Sequence, residues 1–371
     1  MGKTDVCIIG GGIIGLAHAY ECWKHGYSVR VIEKDEFAVG ASIRNFGLVW
    51  PIGQPAGPLY DRAMKSRETW IELATEADFF AIESGSFHLA YAEDELDILQ
   101  EYDSKFGNKT KVLSPQAAIE MSPNVIPDNL LGALYSETEV NVNPKTAIHA
   151  ISNWLAEKDG VIIHTGEKVL HVEPGIIETS STTYQADKIL VCSGSDFQSL
   201  FPEVFDDSPL IKSKLQMLRT KPQGVDFKLG PVLCGGLTLR HYASFAQCDS
   251  LQVYKERISA EFPEFDEWGI HVMVSQNEHN EMIIGDSHEY GFTFDPFDKS
   301  EINELILGYM KGFVNIPNLE MLETWHGVYA KNPEGTEYVV EPSNGIKIIT
   351  GFGGAGMTFS FGYAFEELSS W

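Results

Sequence analysis

The first 33 residues contain the pattern that most constrains what this chain can fold into. An apolar segment of strand character runs into Gly10-Gly11-Gly12-Ile13-Ile14-Gly15, and a helical segment follows at 16–25. A second apolar strand at 29–32 ends at Glu33. Strand, glycines, helix, strand and acidic residue in this order predict a parallel βαβ unit that binds a dinucleotide.

Each part of this pattern has a physical role in holding a dinucleotide. Gly10 permits the tight turn, Gly12 lets the backbone approach the pyrophosphate, and Gly15 allows close packing of helix and strand. The helix N-terminus offers unpaired N–H groups and a positive dipole end to the phosphates. Glu33 is placed to accept hydrogen bonds from a ribose. The expected site also includes the neighbouring residues Ile13, Ile14 and Lys34.

Composition argues against several other classes of protein. A net charge of −26 disfavours a nucleic-acid or anionic-membrane surface, because both need clustered Lys and Arg. No apolar run approaches the roughly 20 residues that cross a bilayer, so we expect no membrane insertion. The five cysteines show no metal-ligand spacing, and Cys7 and Cys192, which lie in apolar segments of strand character, are expected to be buried reduced thiols. Together with an N-terminus that enters a strand almost at once, these features favour a cytoplasmic location.

Two further junctions between an apolar strand and small residues, at 184–194 and 345–358, lie far from the N-terminus. We therefore expect a Rossmann-like α/β domain built from discontinuous segments. The stretches between them alternate apolar and polar residues, which predicts a largely antiparallel sheet in a second, substrate domain. Residues 1–85, 141–210 and 321–371 are assigned to the first domain, and 86–140 and 211–320 to the second. Since ligand pockets favour domain interfaces, the active site is expected where the two domains meet.

Two segments indicate that the dinucleotide is FAD rather than NAD. Residues 40–47 combine small side chains with Arg44, so the backbone can pass close to a pyrophosphate and the arginine can offset phosphate charge. The glycine-rich segment 353–358 precedes a helical segment at 361–368, whose N-terminal end suits the pyrimidine end of a flavin. The expected contacts in these regions are Ala41, Ser42, Arg44, Asn45, Phe46, Gly47, Gly351, Gly353, Gly354, Ala355, Gly356, Met357 and Thr358.

The order of these motifs, with Cys192-Ser193-Gly194 and Gly285-Asp286 between them, resembles the D-amino acid oxidase/sarcosine oxidase/glycine oxidase superfamily over essentially the whole chain. The resemblance implies bound FAD, a two-domain D-amino acid oxidase-like fold, and oxidation of a C–N bond to an imine that hydrolyses. It also implies cofactor contacts at Val169, Ser193, Gly194 and Gly327. Covalent members attach flavin to a cysteine in the C-terminal portion. Because no cysteine follows Cys248, we expect non-covalent FAD.

A narrower resemblance points to a class of substrate. It is carried by the segments 44–54, 214–220, 239–242, 285–291 and 325–329. These segments are similar to the FAD-dependent oxidoreductases associated with phosphonate catabolism. The resemblance implies an aminoalkylphosphonate substrate, 2-aminoethylphosphonate or its N-methyl form, oxidised toward the aldehyde.

The absence of C-terminal arginine residues bears on the same question. Many relatives that oxidise amino acids hold the substrate carboxylate with an arginine from the C-terminal part, and this sequence has none after Arg257. This absence disfavours a glycine, sarcosine or D-amino acid oxidase-type enzyme. It does not exclude one, since Arg44, Arg219 or Arg240 could hold the carboxylate instead. A dehydrogenase that passes electrons to an acceptor other than O2, and a non-catalytic flavoprotein, also remain open. The expected partners are thus a small amine and O2 or another acceptor, with the oligomeric state left undetermined.

The candidate catalytic residues follow from the need to orient a neutral amine against the flavin. His326 is the first candidate, because histidine titrates in the right range and the resemblance places its turn near the flavin. A role in packing that turn is equally consistent. Trp50 is a candidate for the pocket wall, although an aromatic residue at such a position more often belongs to the core. Tyr329 belongs to the same C-terminal motif as His326.

Other polar residues are candidates for holding an anionic head group. Lys214 and Gln216 alternate along one strand, so they point the same way, either into the pocket or to a solvated strand edge. Further candidates for an anion site are Arg240, His241 and His288. The histidines show no metal-ligand spacing, so we expect no metal.

Overall fold

The computed structural model describes residues 2–107 and 109–371. Ten α-helices within these residues, α1 to α10, span Ile13–Lys24, Pro58–Glu76, Glu93–Lys105, Pro115–Met121, Pro144–Ala156, Pro202–Asp206, Leu251–Glu261, Pro263–Glu267, Ser300–Met310 and Gly356–Leu368. Twenty strands, β1 to β20, span Thr4–Ile9, Val29–Ile32, Leu48–Val49, Ala81–Ile82, Ser86–Ala90, Thr110–Leu113, Gly132–Ser136, Val140–Val142, Val161–His164, Val169–Glu173, Ile176–Thr179, Thr183–Val191, Ile211–Thr220, Val232–Cys234, Met273–Gln276, Met282–Gly285, Glu289–Gly291, Met321–Lys331, Tyr338–Ser343 and Ile346–Thr350.

The first sheet is the predicted dinucleotide-binding sheet. Its strand order is β10-β11-β12-β1-β2-β9, with β20 beside β12 and β19 beside β20. Its centre is parallel, because β1 pairs with both β12 and β2, β2 with β9, and β12 with β20. Such strands are covered on both faces, and accordingly five of the six residues of β1 and all four residues of β2 are buried. The Rossmann-like domain from separated segments is confirmed.

Two helices of this domain begin earlier than predicted. Helix α1 begins at Ile13 rather than at residue 16, and α10 begins at Gly356 rather than at residue 361. The glycine-rich turns run directly into the first helical turn, so that the glycines expected in the loops partly belong to the helices. Helix α5 spans Pro144–Ala156, a segment whose apolar residues recur at helical spacing.

The second sheet is largely antiparallel, as predicted, in the order β17-β13-β16-β15-β14-β5-β7-β6 with β18 beside β13. Its one parallel pair in the described residues joins β14 to β5. Strand β18 pairs with β13 from Lys331 to Met321, so the second sheet extends beyond the domain boundary expected at residue 320. A small third sheet, β3-β8-β4, lies outside both. Among the described helices, we find none with the length and apolar composition to cross a bilayer.

His88 on β5 is a titratable group enclosed by the hydrophobic core. Its ring lies 5.0 Å from that of Phe245 and 6.0 Å from that of Trp50, measured between centroids. Neither ring nitrogen has a hydrogen-bond partner in the described part of the chain. Burial lowers the pKa of His88 to about 3, so the folded protein keeps this imidazole neutral.

We predict that His88 makes the fold acid-sensitive. An unfolded histidine takes up a proton near pH 6.5, so between pH 6.5 and 3 the unfolded state binds the extra proton and stability falls as pH falls. The loss is about 2 kcal/mol between pH 6.5 and pH 5. Urea unfolding at pH 7.5 and pH 5 gives the free energy of unfolding at each pH. The loss of this free energy on going from pH 7.5 to pH 5 should be about 2 kcal/mol smaller in His88→Phe than in the wild type. The exposed His171 provides the control, since His171→Gln should keep the wild-type difference; a wild-type difference in His88→Phe would contradict the prediction.

Candidate active site

A cavity of 860 Å³ lies between the two large sheets. From the first sheet it is lined by Gly10 and Glu33, which follow β1 and β2 at their carboxyl ends. From the second sheet it is lined by Leu215 and Met273 on β13 and β15. Ligands of parallel α/β sheets bind at the carboxyl ends of the strands, so the position of the cavity agrees with the expected active site.

The turn after β1 has no room for side chains. Gly10 has φ +109°, and a Cβ there would lie 2.4 Å from the carbonyl oxygen of Cys192. A Cβ on Gly15 would lie 2.0 Å from the carbonyl oxygen of Gly10, and one on Gly12 would lie 3.0 Å from Ser42 Oγ. The backbone is therefore held close to both the neighbouring strand and the cavity, as a bound pyrophosphate requires.

Backbone N–H groups and one carboxylate surround this turn. Ser42 Oγ accepts a hydrogen bond from the Ile13 N–H at 2.9 Å, in the first turn of α1. Glu33 Oε2 accepts from the Gly11 N–H at 2.7 Å. Its other oxygen accepts from the Asp35 N–H at 3.1 Å. These bonds fix Glu33 at the cavity wall, where its remaining acceptor capacity can serve a ribose.

The N-terminal end of α10 forms a second glycine-rich wall. Thr358 Oγ1 accepts a hydrogen bond from the Trp50 N–H at 3.0 Å, which ties this helix to the segment that follows β3. Both residues line the cavity, as does the turn Gly353–Ala355 before the helix. A helix N-terminus provides N–H donors and a positive dipole end, which suit a group that gains negative charge.

Most of the expected cofactor residues line this one cavity. They are Gly10, Gly12, Ile13, Ile14, Glu33, Lys34, Ala41, Ser42, Asn45, Phe46, Val169, Ser193, Gly194, Gly351, Gly353, Gly354, Ala355, Gly356, Met357 and Thr358. These residues come from widely separated parts of the chain, and the fold brings them together.

Gly15, Gly47 and Gly327 act one step behind the cavity wall. A Cβ on Gly47, which has φ +75°, would lie 1.9 Å from the Val142 carbonyl oxygen. A Cβ on Gly327 would lie 3.0 Å from the Arg44 carbonyl oxygen. With Gly15 under the first turn, these glycines allow close backbone approach rather than forming the cavity surface.

Arg44 is a correction to the sequence analysis. Its carbonyl oxygen accepts a hydrogen bond from Trp325 Nε1 at 3.2 Å, and its Nη1 donates to the His326 carbonyl oxygen at 3.4 Å. These contacts turn the side chain toward a second cavity, of 560 Å³, and away from the glycine turns. Arg44 is therefore not placed to offset phosphate charge there.

His326, Lys214 and Gln216 are also corrections, because none of them lines the main cavity. Side chains alternate along a strand, and Leu215 on β13 faces that cavity, so Lys214 and Gln216 face the opposite side. His326 on β18 is paired with Gln216 and shares its side. The expectation that Lys214 and Gln216 point the same way is correct, but their shared side does not border the cavity.

The three side chains on this outer side have structural partners. Lys214 is fully buried and its Nζ donates to the carbonyl oxygens of Asp295 and Phe297, at 2.9 and 3.1 Å. Gln216 Nε2 donates to the Lys299 carbonyl oxygen at 3.0 Å. His326 Nδ1 lies 2.8 Å from Asp298 Oδ1. All three therefore fasten the segment 295–299 onto the sheet.

Trp50 and Tyr329 do line the main cavity, and three histidines lie with them. His241, His271 and His288 come from different segments, and their nitrogens lie within 4.8 Å of one another. Sequence analysis considered His241 and His288 separately and missed His271. No short spacing connects them; the available signal was a histidine within the alternating strand pattern at 269–274.

Burial favours the uncharged forms of His241, His288 and Tyr329. It lowers the pKa of His288 to about 4, against a smaller opposing effect of Asp286. It also lowers the pKa of His241, which opens into the cavity but is surrounded by protein, and the neighbouring His271 adds to this effect. His288 Nε2 lies 2.8 Å from the Tyr329 hydroxyl, whose pKa burial raises. The absence of a metal stays a prediction, since three imidazoles at this spacing are a group that could hold an ion.

Comparison with known proteins identifies the family. The model of the DAO family, described as FAD dependent oxidoreductase, matches residues 5–366. The chain belongs to this family. Its cofactor is accordingly FAD, and the glycine turns, Glu33 and the α10 N-terminus fit that group.

The similar proteins are oxidoreductases of related kinds. One of the opine oxidase subunits of Rhizobium meliloti is 26% identical over 240 residues, 60% of this chain and 64% of that protein. Glycine oxidase of Geobacillus kaustophilus (strain HTA426) is 27% identical over 208 residues, 52% of this chain and 55% of that protein. The matches thus span a little more than half of these curated relatives.

Solved structures confirm the fold. The crystal structure of glycine oxidase from Geobacillus kaustophilus has a TM-score of 0.77 at 20% identity, covering 100% of this chain and 95% of the other. L-proline dehydrogenase from P. horikoshii has a TM-score of 0.75 at 22% identity, covering 99% and 93%. At these identities the likeness concerns the fold alone.

We predict that Gly15→Ala strongly reduces FAD retention, because the added Cβ meets the Gly10 carbonyl oxygen and must displace the turn. Gly308→Ala is the matched control: Gly308 also lies within a helix, α9, does not line the cavity, and has no atom within 4 Å of the added Cβ. Acid precipitation releases the bound flavin, and the absorbance of the supernatant gives the amount of flavin bound per chain. This amount should be at least tenfold lower than in the wild type in Gly15→Ala and unchanged in the control. Wild-type flavin retained in the acid pellet would contradict non-covalent binding, and equal release from both variants would contradict the role of Gly15.

Proposed function

We propose that this protein oxidises the C–N bond of a small amine to an imine, which water hydrolyses to an aldehyde. The observation that carries the proposal is one continuous cavity that joins the FAD-binding turns to a set of polar side chains on the second sheet. Such a cavity allows the carbon that carries the nitrogen to lie against the cofactor while the remainder of the substrate contacts the sheet. Relatives named glycine oxidase and D-amino acid dehydrogenase support an amine or amino acid as substrate.

The chemistry supplied by bound FAD is acceptance of a hydride from that carbon. The substrate would also release one proton from nitrogen, and O2 or another acceptor would take up the two electrons. The residues of the cavity favour an uncharged amine, because His288 and Tyr329 are neutral and Lys331 adds a nearby positive charge that disfavours an ammonium group. Their proposed role is therefore to orient the amine and to receive its hydrogen bond.

For the substrate we propose an aminoalkylphosphonate, 2-aminoethylphosphonate or its N-methyl form. Support comes from the phosphonate-associated motifs and from the lack of any arginine after Arg257 to form a carboxylate fork. A second candidate is a glycine, sarcosine or D-amino acid substrate, supported by the two glycine oxidases and the D-amino acid dehydrogenase among the relatives.

The flavin spectrum tests this function directly. N-methyl-2-aminoethylphosphonate, 2-aminoethylphosphonate, glycine and sarcosine should be added in turn, without oxygen, to the FAD-loaded protein. Loss of the flavin band at about 450 nm reports amine oxidation, and we expect it to be fastest with a phosphonate. Faster bleaching by glycine or sarcosine would favour the second candidate. A flavin that none of the four amines reduces would refute the proposed function, and turnover in air against turnover with an artificial dye separates oxidase from dehydrogenase.

We predict that Tyr329→Phe slows flavin reduction by about 10- to 100-fold without loss of FAD, because it removes the hydroxyl paired with His288 in the cavity. His326→Gln is the matched control on the same strand, facing the outer side and Asp298. It should change the rate by less than about twofold. Anaerobic stopped-flow measurement of both variants decides the point: a large effect in His326→Gln with none in Tyr329→Phe would reverse the assignment.

A further inference from the structure

One side of the cavity carries a group of basic side chains that amine oxidation itself does not require. His241, His271, His288 and Lys331 all line it, and we refer to these four residues as the histidine subsite. His271 and His288 are almost completely buried, with 3% and 5% of their surface exposed. Nδ1 of His271 lacks a hydrogen-bond partner among the described residues, whereas its Nε2 lies 2.8 Å from Asp286 Oδ1. Buried polar atoms without partners are rare, so this arrangement points to a ligand.

We propose that the histidine subsite binds a tetrahedral, doubly charged oxyanion, the phosphonate-type head group of the substrate. The inference rests on the proposed function and adds the residues that would select this head group over a carboxylate.

The geometry of the imidazoles favours a tetrahedral group. The rings of His241 and His271 stack with centroids 3.8 Å apart and planes 24° apart. Two nearly parallel rings can each direct one N–H to a different oxygen of the same tetrahedral anion. The ring of His288, 4.7 Å from that of His241, closes one side of the subsite, and its two nitrogens lie within hydrogen-bond distance of the Gly269 carbonyl oxygen and the Tyr329 hydroxyl. A carboxylate has only two oxygens in one plane and is matched best by an arginine fork.

The arginine next to this cluster is engaged elsewhere. Arg240 Nη1 pairs with Asp266, and its Nη2 lies 3.4 Å from the Ile270 carbonyl oxygen. Lys331, by contrast, donates to the Tyr290 hydroxyl at 3.2 Å and has no carboxylate within 4.0 Å in the described part of the chain. The histidine subsite therefore contains a cation whose charge no acidic side chain neutralises by direct contact.

Three tyrosines and one carboxylate also face the subsite. The tyrosines are Tyr242, Tyr290 and Tyr329, and the carboxylate is Asp286, which lies against His271. Burial and mutual repulsion hold the pKa of His241 and His288 below the ordinary range. A dianion would oppose both effects, so its entry would be coupled to proton uptake by the imidazoles.

A metal ion is the competing ligand for three imidazoles, and two observations disfavour it. A metal lies in the plane of each imidazole that binds it, whereas the stacked rings of His241 and His271 have nearly parallel planes. The ammonium group of Lys331 would also repel a divalent cation, since it has no carboxylate partner among the described residues.

Calorimetric titration of the FAD-loaded protein with methylphosphonate and with acetate tests the proposal without turnover. We expect methylphosphonate to bind at least tenfold more tightly than acetate at pH 7. Lys331→Met and His241→Asn should each weaken methylphosphonate binding tenfold or more while FAD content stays at the wild-type value. Lys212→Met is the matched control, because Lys212 lies on the adjacent β13, paired with Ala330, and its ammonium group sits over the Phe197 ring.

The opposing outcomes are distinct. Acetate binding as tight as methylphosphonate, or unchanged methylphosphonate affinity in both subsite variants, would refute the subsite. One Zn²⁺ bound per chain and lost in His241→Asn, with no heat from methylphosphonate, would assign the cluster to a metal instead. Because non-reacting anions are used, failure of this experiment differs from failure of the proposed function, which only the flavin spectrum with amines can show.

Discussion

The pairing of β13 with β18 determines which chemistry faces the cavity. In this long antiparallel ladder Leu215 is opposite Gly327, and Gln216 is opposite His326. Side chains alternate between the two faces of a sheet, so this register directs Leu215 and Tyr329 to the cavity and Gln216 and His326 to the other side. A slip of β18 by one residue would turn Tyr329 away from the cavity and His326 toward it. The site therefore depends on strand register as much as on residue identity.

The outer side of the same ladder shows how a buried charge is kept without a catalytic role. Lys214 is surrounded by backbone carbonyl groups, with Glu289 and Asp298 at 3.7 and 3.9 Å. A buried ammonium group is tolerated only when such partners replace water. The segment 295–299 supplies those partners, and the lysine in turn holds that segment against the sheet.

The parts of the molecule that the sequence predicts are those governed by local patterns. The glycine spacing, the apolar strands and Glu33 specify the βαβ unit because each acts within a few residues of its neighbours. The helix at 144–156 is predictable for the same reason. The orientation of His326 is not, since it depends on pairing between strands more than a hundred residues apart. Likewise, His241, His271 and His288 meet only after three separate segments have packed, and no spacing in the sequence marks that meeting.

The residues that hold the cofactor and those that face the substrate come from different layers of the molecule. Gly10, Glu33 and the α10 N-terminus belong to the first sheet and its helices, whereas Tyr329 belongs to the second sheet and His271 lies just before its strand β15. Changes on the second sheet can therefore accumulate during divergence while the redox partner stays in place. In such an architecture a lineage can acquire a new nutrient as substrate through a few replacements on the second sheet. It inherits the redox chemistry unaltered, because the first sheet and its helices continue to hold the cofactor.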